Sequence, residues 1–173
     1  MMQLSQARDA LIALVLLAVS FSATADDRLE RFETISERGG EISLELMLRQ
    51  YESMGADPEE IRAVMPDIEW DDEYREAGQC MLDRYEDIIG NSGIDNMLDR
   101  METLFDELDR EDATFEDMEA LADMNSIEGV SDDDQIAIMS DCRMLEINMR
   151  RMSESGFMDA IQSQLSTMDD NGS

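Results

Sequence analysis

The chain has 173 residues, with 43 Asp or Glu against 13 Arg and neither Lys nor His, so its formal net charge is −30 at pH 7. This charge argues against nucleic acid and anionic membranes as partners, because both bind proteins through cationic side chains. It favours basic proteins, peptides or metal ions, although a merely solvated acidic surface in salty surroundings has the same composition. The aliphatic residues and 16 Met are enough for the core of one folded domain.

The first 25 residues have the three-part layout of a cleavable export signal. A polar start containing Arg8 precedes the apolar run 10–21, and Ala23-Thr24-Ala25 forms an A-x-A cleavage site. The apolar run has about 12 residues, whereas a membrane-spanning helix needs roughly 20. We therefore predict cleavage between Ala25 and Asp26, a periplasmic or secreted location, and a mature chain without stable membrane insertion.

Two helices separated by a glycine pair are predicted after the signal. Apolar residues at helical spacing indicate one helix over 26–38 and another over 41–54. Gly39-Gly40 predicts a break between them, and Gly55 is placed to cap the second helix at its C-terminus.

The middle of the chain carries local signals for three more helices. Asp57-Pro58 is a strong start for a short helix, because Asp can cap and Pro fits the first helical position. A longer helix is predicted over 71–89, with Gly90 at its end. The run from Ser92 to Asp95 matches a capping box and opens an amphipathic helix that extends to Leu108.

The last third begins with a second capping box over Thr114–Asp117. Ser131, followed by three Asp, predicts the start of one long helix that extends to about Glu154. The predicted buried side of this helix consists of Ile138, Met139, Cys142, Leu145, Met149 and Met152. Gly156 ends it, a final helix covers 157–168, and residues 169–173 are predicted to be a flexible tail.

The predicted fold class is all-α: a single acidic domain over 26–168, built as an irregular bundle of about six helices with short loops. Cys80 and Cys142 are the two cysteines, and in an oxidising compartment such a pair predicts a disulfide. Each lies on or beside the apolar face of a long predicted helix, so the bond would join two packed helices.

Charge spacing leads to two electrostatic expectations. Acidic residues precede Arg by four positions in four predicted helices, an arrangement that adds about 0.2–0.5 kcal/mol per pair. These pairs are Glu45 with Arg49, Asp71 with Arg75, Asp106 with Arg110, and Glu146 with Arg150. Crowding among so many acids also predicts raised carboxyl pKa values in the folded protein.

Metal sites are only weakly indicated, and no metal ligand is assigned. The best calcium candidate, 106–116, has no Gly at the sixth loop position and lacks the EF-hand ligand spacing. Met97 with Met101, and Met149 with Met152, offer thioethers of the kind that suit Cu(I). Met is also an ordinary core residue, and these positions coincide with the apolar stripes.

No catalytic residue and no cofactor is predicted, since the chain has no His to act as a base and no nucleophile motif such as G-x-S-x-G. The favoured interpretation is a non-enzymatic binding module with an adaptor-, inhibitor- or chaperone-like role toward a basic or amphipathic protein partner. The alternative is a periplasmic protein that binds divalent cations or copper. The oligomeric state is left open.

Overall fold

The computed structural model describes residues 25–118 and 127–171, and its regular elements in those ranges are all helices. The helices are α1 (Ala25–Ser53), α2 (Pro58–Arg62), α3 (Asp72–Leu108), α4 (Asp132–Asp141), α5 (Met144–Glu154) and α6 (Phe157–Asn171), and residues 115–118 are also helical. An all-α irregular bundle is confirmed. None of the described helices is both long and apolar enough to cross a membrane. Residues 1–24 of the proposed signal lie outside the described ranges, so cleavage between Ala25 and Asp26 stays a prediction.

Four of the predicted helix starts, at Asp57, Asp71, Thr114 and Ser131, are confirmed. The side chains of Asp57, Asp71 and Ser131 each accept a hydrogen bond from a backbone N–H in the first turn that follows. Thr114 and Asp117 form the reciprocal capping box: Thr114 Oγ1 accepts from the Asp117 N–H, and Asp117 Oδ2 accepts from the Thr114 N–H. These bonds satisfy N–H groups that have no partner within the helix.

The predicted break at Gly39-Gly40 is wrong, because α1 passes through both glycines as one helix. Gly39 is buried against the ring of Phe105 on α3, and a Cβ at Gly39 would lie 2.2 Å from Phe105 Cζ. The glycine therefore lets two helices approach closely. Packing of α1 against α3 outweighs the roughly 1 kcal/mol by which Gly weakens a helix interior.

Helix α3 bends at Gly90, whose φ of 69° and ψ of 174° are not helical. A helix end at this residue was predicted, and Gly readily adopts positive φ. The chain becomes helical again immediately afterwards, at Asn91. Ser92 therefore lies inside the first turn of the second half, and the predicted cap at Ser92 is wrong.

The predicted long helix from Ser131 to Glu154 is also wrong, since α4 and α5 are separated by Cys142 and Arg143. Arg143 adopts the left-handed conformation, with φ 64°. One left-handed residue turns the following helix, so that a different face of α5 packs on the core. Met144 and Ile147 are buried, as are the predicted Ile138 and Cys142. Two residues predicted to be buried are instead exposed, Leu145 at 39% and Met149 at 60%.

Glycine at position 143 should stabilise the protein relative to alanine, the reverse of their order inside a helix. Both Arg143→Gly and Arg143→Ala remove the ion pairs that Arg143 makes with Glu73 and Glu146, so their difference isolates the backbone. The left-handed conformation costs an L side chain about 1–2 kcal/mol, and glycine avoids that cost. The Gly variant should melt about 2–4 °C above the Ala variant in thermal denaturation. The opposite order would mean that the break is not left-handed in solution.

The main core lies between α1, α3 and the α4–α5 pair. Trp70 sits at its edge, with its ring 5.4 Å from that of Phe32 and 5.9 Å from that of Tyr74, measured between centroids. The predicted disulfide between Cys80 and Cys142 is confirmed, with Cα atoms 5.6 Å apart. It links the first half of α3 to the end of α4 and so holds the C-terminal helices on the core.

Helix α6 packs on α2 rather than extending away from the bundle. Phe157 is buried in a small cluster with Ile61 and Leu48. Gln164 adds two polar contacts: its Oε1 accepts from the Asp57 N–H at 3.3 Å, and its Nε2 donates to Glu60 at 2.5 Å. The helix extends to Asn171, beyond the predicted helix end at Met168.

Candidate binding pocket

Three arginines on α1 connect this helix to the second half of α3. Arg31 donates to Asp99 at 2.6 Å and to Glu102 at 2.5 Å. Arg38 donates to Asp106 at 2.6 Å and Asp109 at 2.9 Å, and Arg28 forms a bidentate pair with Asp95. The arginines therefore hold helices together in this part of the protein.

None of the four arginines predicted to pair with an acid four positions earlier uses that acid as its main partner. Arg75 binds Glu33 and Arg150 binds Glu73, both on neighbouring helices. Arg49 donates to the Glu111 carbonyl oxygen at 3.1 Å, and Arg110 lies 4.0 Å from Asp112. For Arg49, Arg75 and Arg150, contacts between elements replace the local pairs, because one guanidinium can bridge two elements with several donors.

Four carboxyls have pKa values below their ordinary range, the opposite of the expectation from crowding. Arg75 lowers the pKa of Glu33, and Arg143 lowers that of Glu146, each mainly through a hydrogen bond. Backbone N–H groups at helix starts lower the pKa of Asp71 and of Asp117. At these positions, specific donors outweigh the repulsion from other acids.

Acid should therefore destabilise the protein. A carboxyl with a lowered folded pKa contributes stability above the unfolded-chain value of about 4 and loses it as the pH falls through the folded value. The melting temperature, followed by circular dichroism at constant ionic strength, should fall between about pH 5 and pH 3. Glu33→Gln should show a weaker fall, because one of the contributing carboxyls is gone. A melting temperature that rises over this range would show that general repulsion dominates.

An apolar pocket of about 580 Å³ opens where α3 bends. Its apolar walls consist of Phe32, Met81, Tyr85, Ile88, Ile89, Met97, Met101 and Ile127. Its other lining residues are Ser92, Gly93, Asn96, Arg100, Glu128, Gly129 and Gln135. Both halves of α3 thus form one wall, the segment that leads into α4 and Gln135 of α4 form the other, and Phe32 of α1 completes the lining. The kink-pocket, as we call this site, has the size and apolar lining of a ligand-binding site.

The bend that shapes the kink-pocket is held by polar contacts around Gly90. Arg28, only 8% exposed, donates to the side chain of Asn91 and, at 3.4 Å, to the Asn91 carbonyl oxygen. Asn91 in turn donates to Glu86 at 2.8 Å, across Gly90. Buried and multiply bonded, Arg28 fixes the direction of α3 after the bend.

The lining of the kink-pocket is close to neutral, although the chain as a whole is strongly acidic. Glu128 and Arg100 are one acid and one base among its lining residues. Ile88 lies at the surface with 47% exposure, whereas Met97 and Tyr85 are buried at 6% and 4%. The pocket therefore offers an apolar interior that can be reached from a solvated acidic surface.

The residues considered for metal binding separate into two groups. Met97 and Met101 do lie together, and Met81 joins them in the kink-pocket. Of the other pair, Met149 is exposed at 60%, whereas Met152 packs against the small cluster of Phe157 and Ile61. In the part of the chain that the structure describes, no group of three or more His, Cys, Asp or Glu side chains could hold a metal ion. In the calcium candidate over 106–116, the carboxylates of Asp106 and Asp109 both bind Arg38.

A second, polar cleft of about 540 Å³ lies beside Trp70, between residues 67–71 and the end of α5. Arg151 crosses it, donating to the carbonyl oxygens of Asp67 and Glu69 at 3.0 Å each and to the Asp71 carboxylate at 2.5 Å. Its guanidinium also lies 4.0 Å above the Tyr74 ring. These contacts tie the 67–71 connector to α5. Arg151 therefore has a structural role in this cleft.

Sequence reasoning placed Met97 and Met101 on an apolar stripe but did not assign a pocket to them. One feature of the sequence does indicate a pocket: the apolar stripe continues from Met81 to Met101 across Gly90. A helix that bends at this glycine would present two apolar walls at an angle to each other. The approach of Ile127 depends on tertiary packing. The sequence matches no family model, and comparison with curated proteins and with solved structures finds no similar protein.

Proposed function

We propose that this protein is an exported, non-enzymatic binding module for a basic or amphipathic protein partner, with an adaptor-, inhibitor- or chaperone-like role. One observation carries the proposal: a methionine-lined apolar pocket opens at the surface of a chain whose net charge is −30. Thioether side chains are flexible and polarisable, so such a pocket can adapt to different apolar groups. The acidic surface attracts cationic partners and speeds their encounter.

Site-specific photo-crosslinking tests this proposal in the native envelope fraction. A photoreactive residue is placed at Ile88, at the mouth of the kink-pocket, and in a matched variant at Met149, which is more exposed and lies outside the pocket. We expect protein adducts at position 88 that decrease in high salt, and few at position 149. Equal adduct yields at both positions, or yields that salt does not change, would contradict the proposal.

Export is part of the same proposal. The A-x-A site ends at Ala25, and Asp26 and Asp27 then form the acidic first turn of α1. Mass spectrometry of the protein recovered from outside the cytoplasm should find Asp26 as the N-terminal residue. An N-terminus upstream of Ala10 would contradict cleavage of this signal.

Cu(I) binding is the second candidate, because Met81, Met97 and Met101 line one pocket. Thioether sulfur is a ligand type that suits Cu(I), whereas hard divalent cations prefer oxygen. Competition with a chromogenic Cu(I) chelator should then detect binding that Met97→Leu abolishes and Met149→Leu leaves intact. Retention of Cu(I) by Met97→Leu would exclude the kink-pocket as the copper site.

A further inference from the structure

We infer that the kink-pocket accepts one large apolar side chain, aromatic or aliphatic, from a helical protein segment whose flanking residues are Lys or Arg. This inference rests on the proposed binding function and names the surface and the chemistry of the partner. Three features support it: the size of the pocket, the distribution of charge around it, and the way its walls are held open.

The size of the pocket fits a side chain rather than a helix. A pocket of about 580 Å³ is within the range of about 300–1,000 Å³ that encloses a small apolar ligand. A helix with its side chains is about 10–12 Å across and would have to lie on the rim. The segment therefore inserts an anchor residue, and binding energy concentrates in that residue because it is fully desolvated.

Charge around the pocket mouth fits cations on both sides of the anchor. Exposed carboxylates occur on each wall: Asp87 directly precedes the lining residue Ile88 on α3, and Glu128 lies in the opposite wall. The lining also holds one cation, Arg100. The Asp132–Asp134 run begins α4 directly before the lining residue Gln135. An apolar residue with Lys or Arg one helical turn away on either side would meet carboxylates on both walls.

The walls are held in place within the protein itself. Arg28 and Asn91 fix the bend of α3, and the disulfide at Cys142 ties α4, with the adjoining wall at Gln135, to α3. A site held open before binding avoids the cost of ordering it at the moment of association. The buried Met81 and Met97 supply the adaptable surface at the base, where anchors of different shape can be packed.

Fluorescence anisotropy with a labelled Leu/Lys amphipathic helical peptide that carries a single Trp tests the inference. Two control peptides differ by Trp→Ala and by replacement of every Lys with Glu. We expect the first change to weaken binding about tenfold or more, as for a hot-spot residue, and the second to abolish it. Added NaCl should weaken binding of the parent peptide.

Protein variants locate the site. Asn96→Trp places a large side chain at an exposed pocket-lining position and should weaken binding about tenfold, whereas Met149→Trp should not. Ile88→Asn is a second test, because it removes apolar surface from the pocket mouth without adding a larger side chain. It should also weaken peptide binding, whereas Ile136→Asn, the matched control at an exposed position outside the pocket, should not. Circular dichroism and melting temperature establish that each variant is folded.

The outcomes separate the inference from the proposed function. Salt-dependent binding of the Lys peptide that Asn96→Trp leaves unchanged would overturn the pocket assignment but not the binding module. Failure of the wild-type protein to bind the Lys peptide would contradict both the inference and the proposed function.

Two further results would assign the pocket to another occupant. If the neutral apolar dye Nile red binds, Asn96→Trp blocks it, and peptide binding does not depend on the Trp, the pocket belongs to a small ligand. A protein dimer that Asn96→Trp dissociates would assign it to a second copy of the chain. Either of these last two results overturns the inference.

Discussion

Replacing Cys80 and Cys142 together with Ala should lower the free energy of unfolding by about 4 kcal/mol. The bond joins positions separated by 62 residues, and closing a loop of that length removes much conformational entropy from the unfolded chain. In the folded protein it connects α3 to the end of α4, and the ion pairs of Arg143 and Arg150 with Glu73 join the same parts of the protein. Because a domain of this kind is stable by about 5–15 kcal/mol, the change is a large share of the total.

Urea denaturation of the mature protein, followed by circular dichroism, measures this difference. The matched control is the wild-type protein with and without a dithiol reductant: reduction should lower its stability by a similar amount and should leave the double-Ala variant unchanged. A loss below about 1 kcal/mol would show that the reduced chain keeps the same loop closed by packing alone.

Gly78→Ala should destabilise the protein by about 1–3 kcal/mol, although Ala is the better helix former. A Cβ at Gly78 would lie 2.4 Å from Cζ3 of Trp70. The Trp70 ring cannot easily move away, since it packs edge-on against Phe32 and stacks on Tyr74. The overlap therefore forces a shift in the main core, and that cost exceeds the gain of about 1 kcal/mol in helix propensity.

Gly40→Ala is the matched control for this substitution. Gly40 also lies within a helix, but its Cβ would come no closer than 3.3 Å to Ile68 Cδ1, the end of a flexible side chain. Its stability should stay within about 1 kcal/mol of the wild type. Adding Trp70→Leu to Gly78→Ala should cost less than the sum of the two single changes, because the smaller side chain removes the overlap. Additive costs would show that Trp70 is not the residue displaced.

Local signals predicted the helix starts at Asp57, Asp71, Thr114 and Ser131 correctly, because the hydrogen bonds that form them join residues close in sequence, whereas the predicted cap at Ser92 does not form. Asp57, Asp71 and Ser131 each cap N–H groups two or three positions later. An interruption at Gly90 was also predicted, as a helix end rather than as a bend, since glycine readily adopts the positive φ found there. The disulfide followed from two cysteines in a chain with a predicted export signal, and its geometry required only that two predicted apolar faces meet.

Long-range packing decided the features that were predicted wrongly. The pair Gly39-Gly40 is typical of a helix break, but Phe105 packs against Gly39 and α1 stays continuous. Arg143 has no local signal for a left-handed conformation, and its presence reverses which residues of α5 are buried. The partners of Arg28 and Arg31 lie 63 to 71 positions away, beyond any rule based on neighbouring residues.

By itself, the sequence determined that this is an acidic all-helical domain with one disulfide, because charge, apolar periodicity and capping are properties of short segments. Only the tertiary structure decided that Met81, Met97 and Ile127 line one pocket, and that Arg28 and Arg31 bridge α1 and α3. The physical reason is that a pocket is a gap between elements. Its shape depends on the angle at which helices pack, and that angle results from many weak contacts between residues distant in sequence.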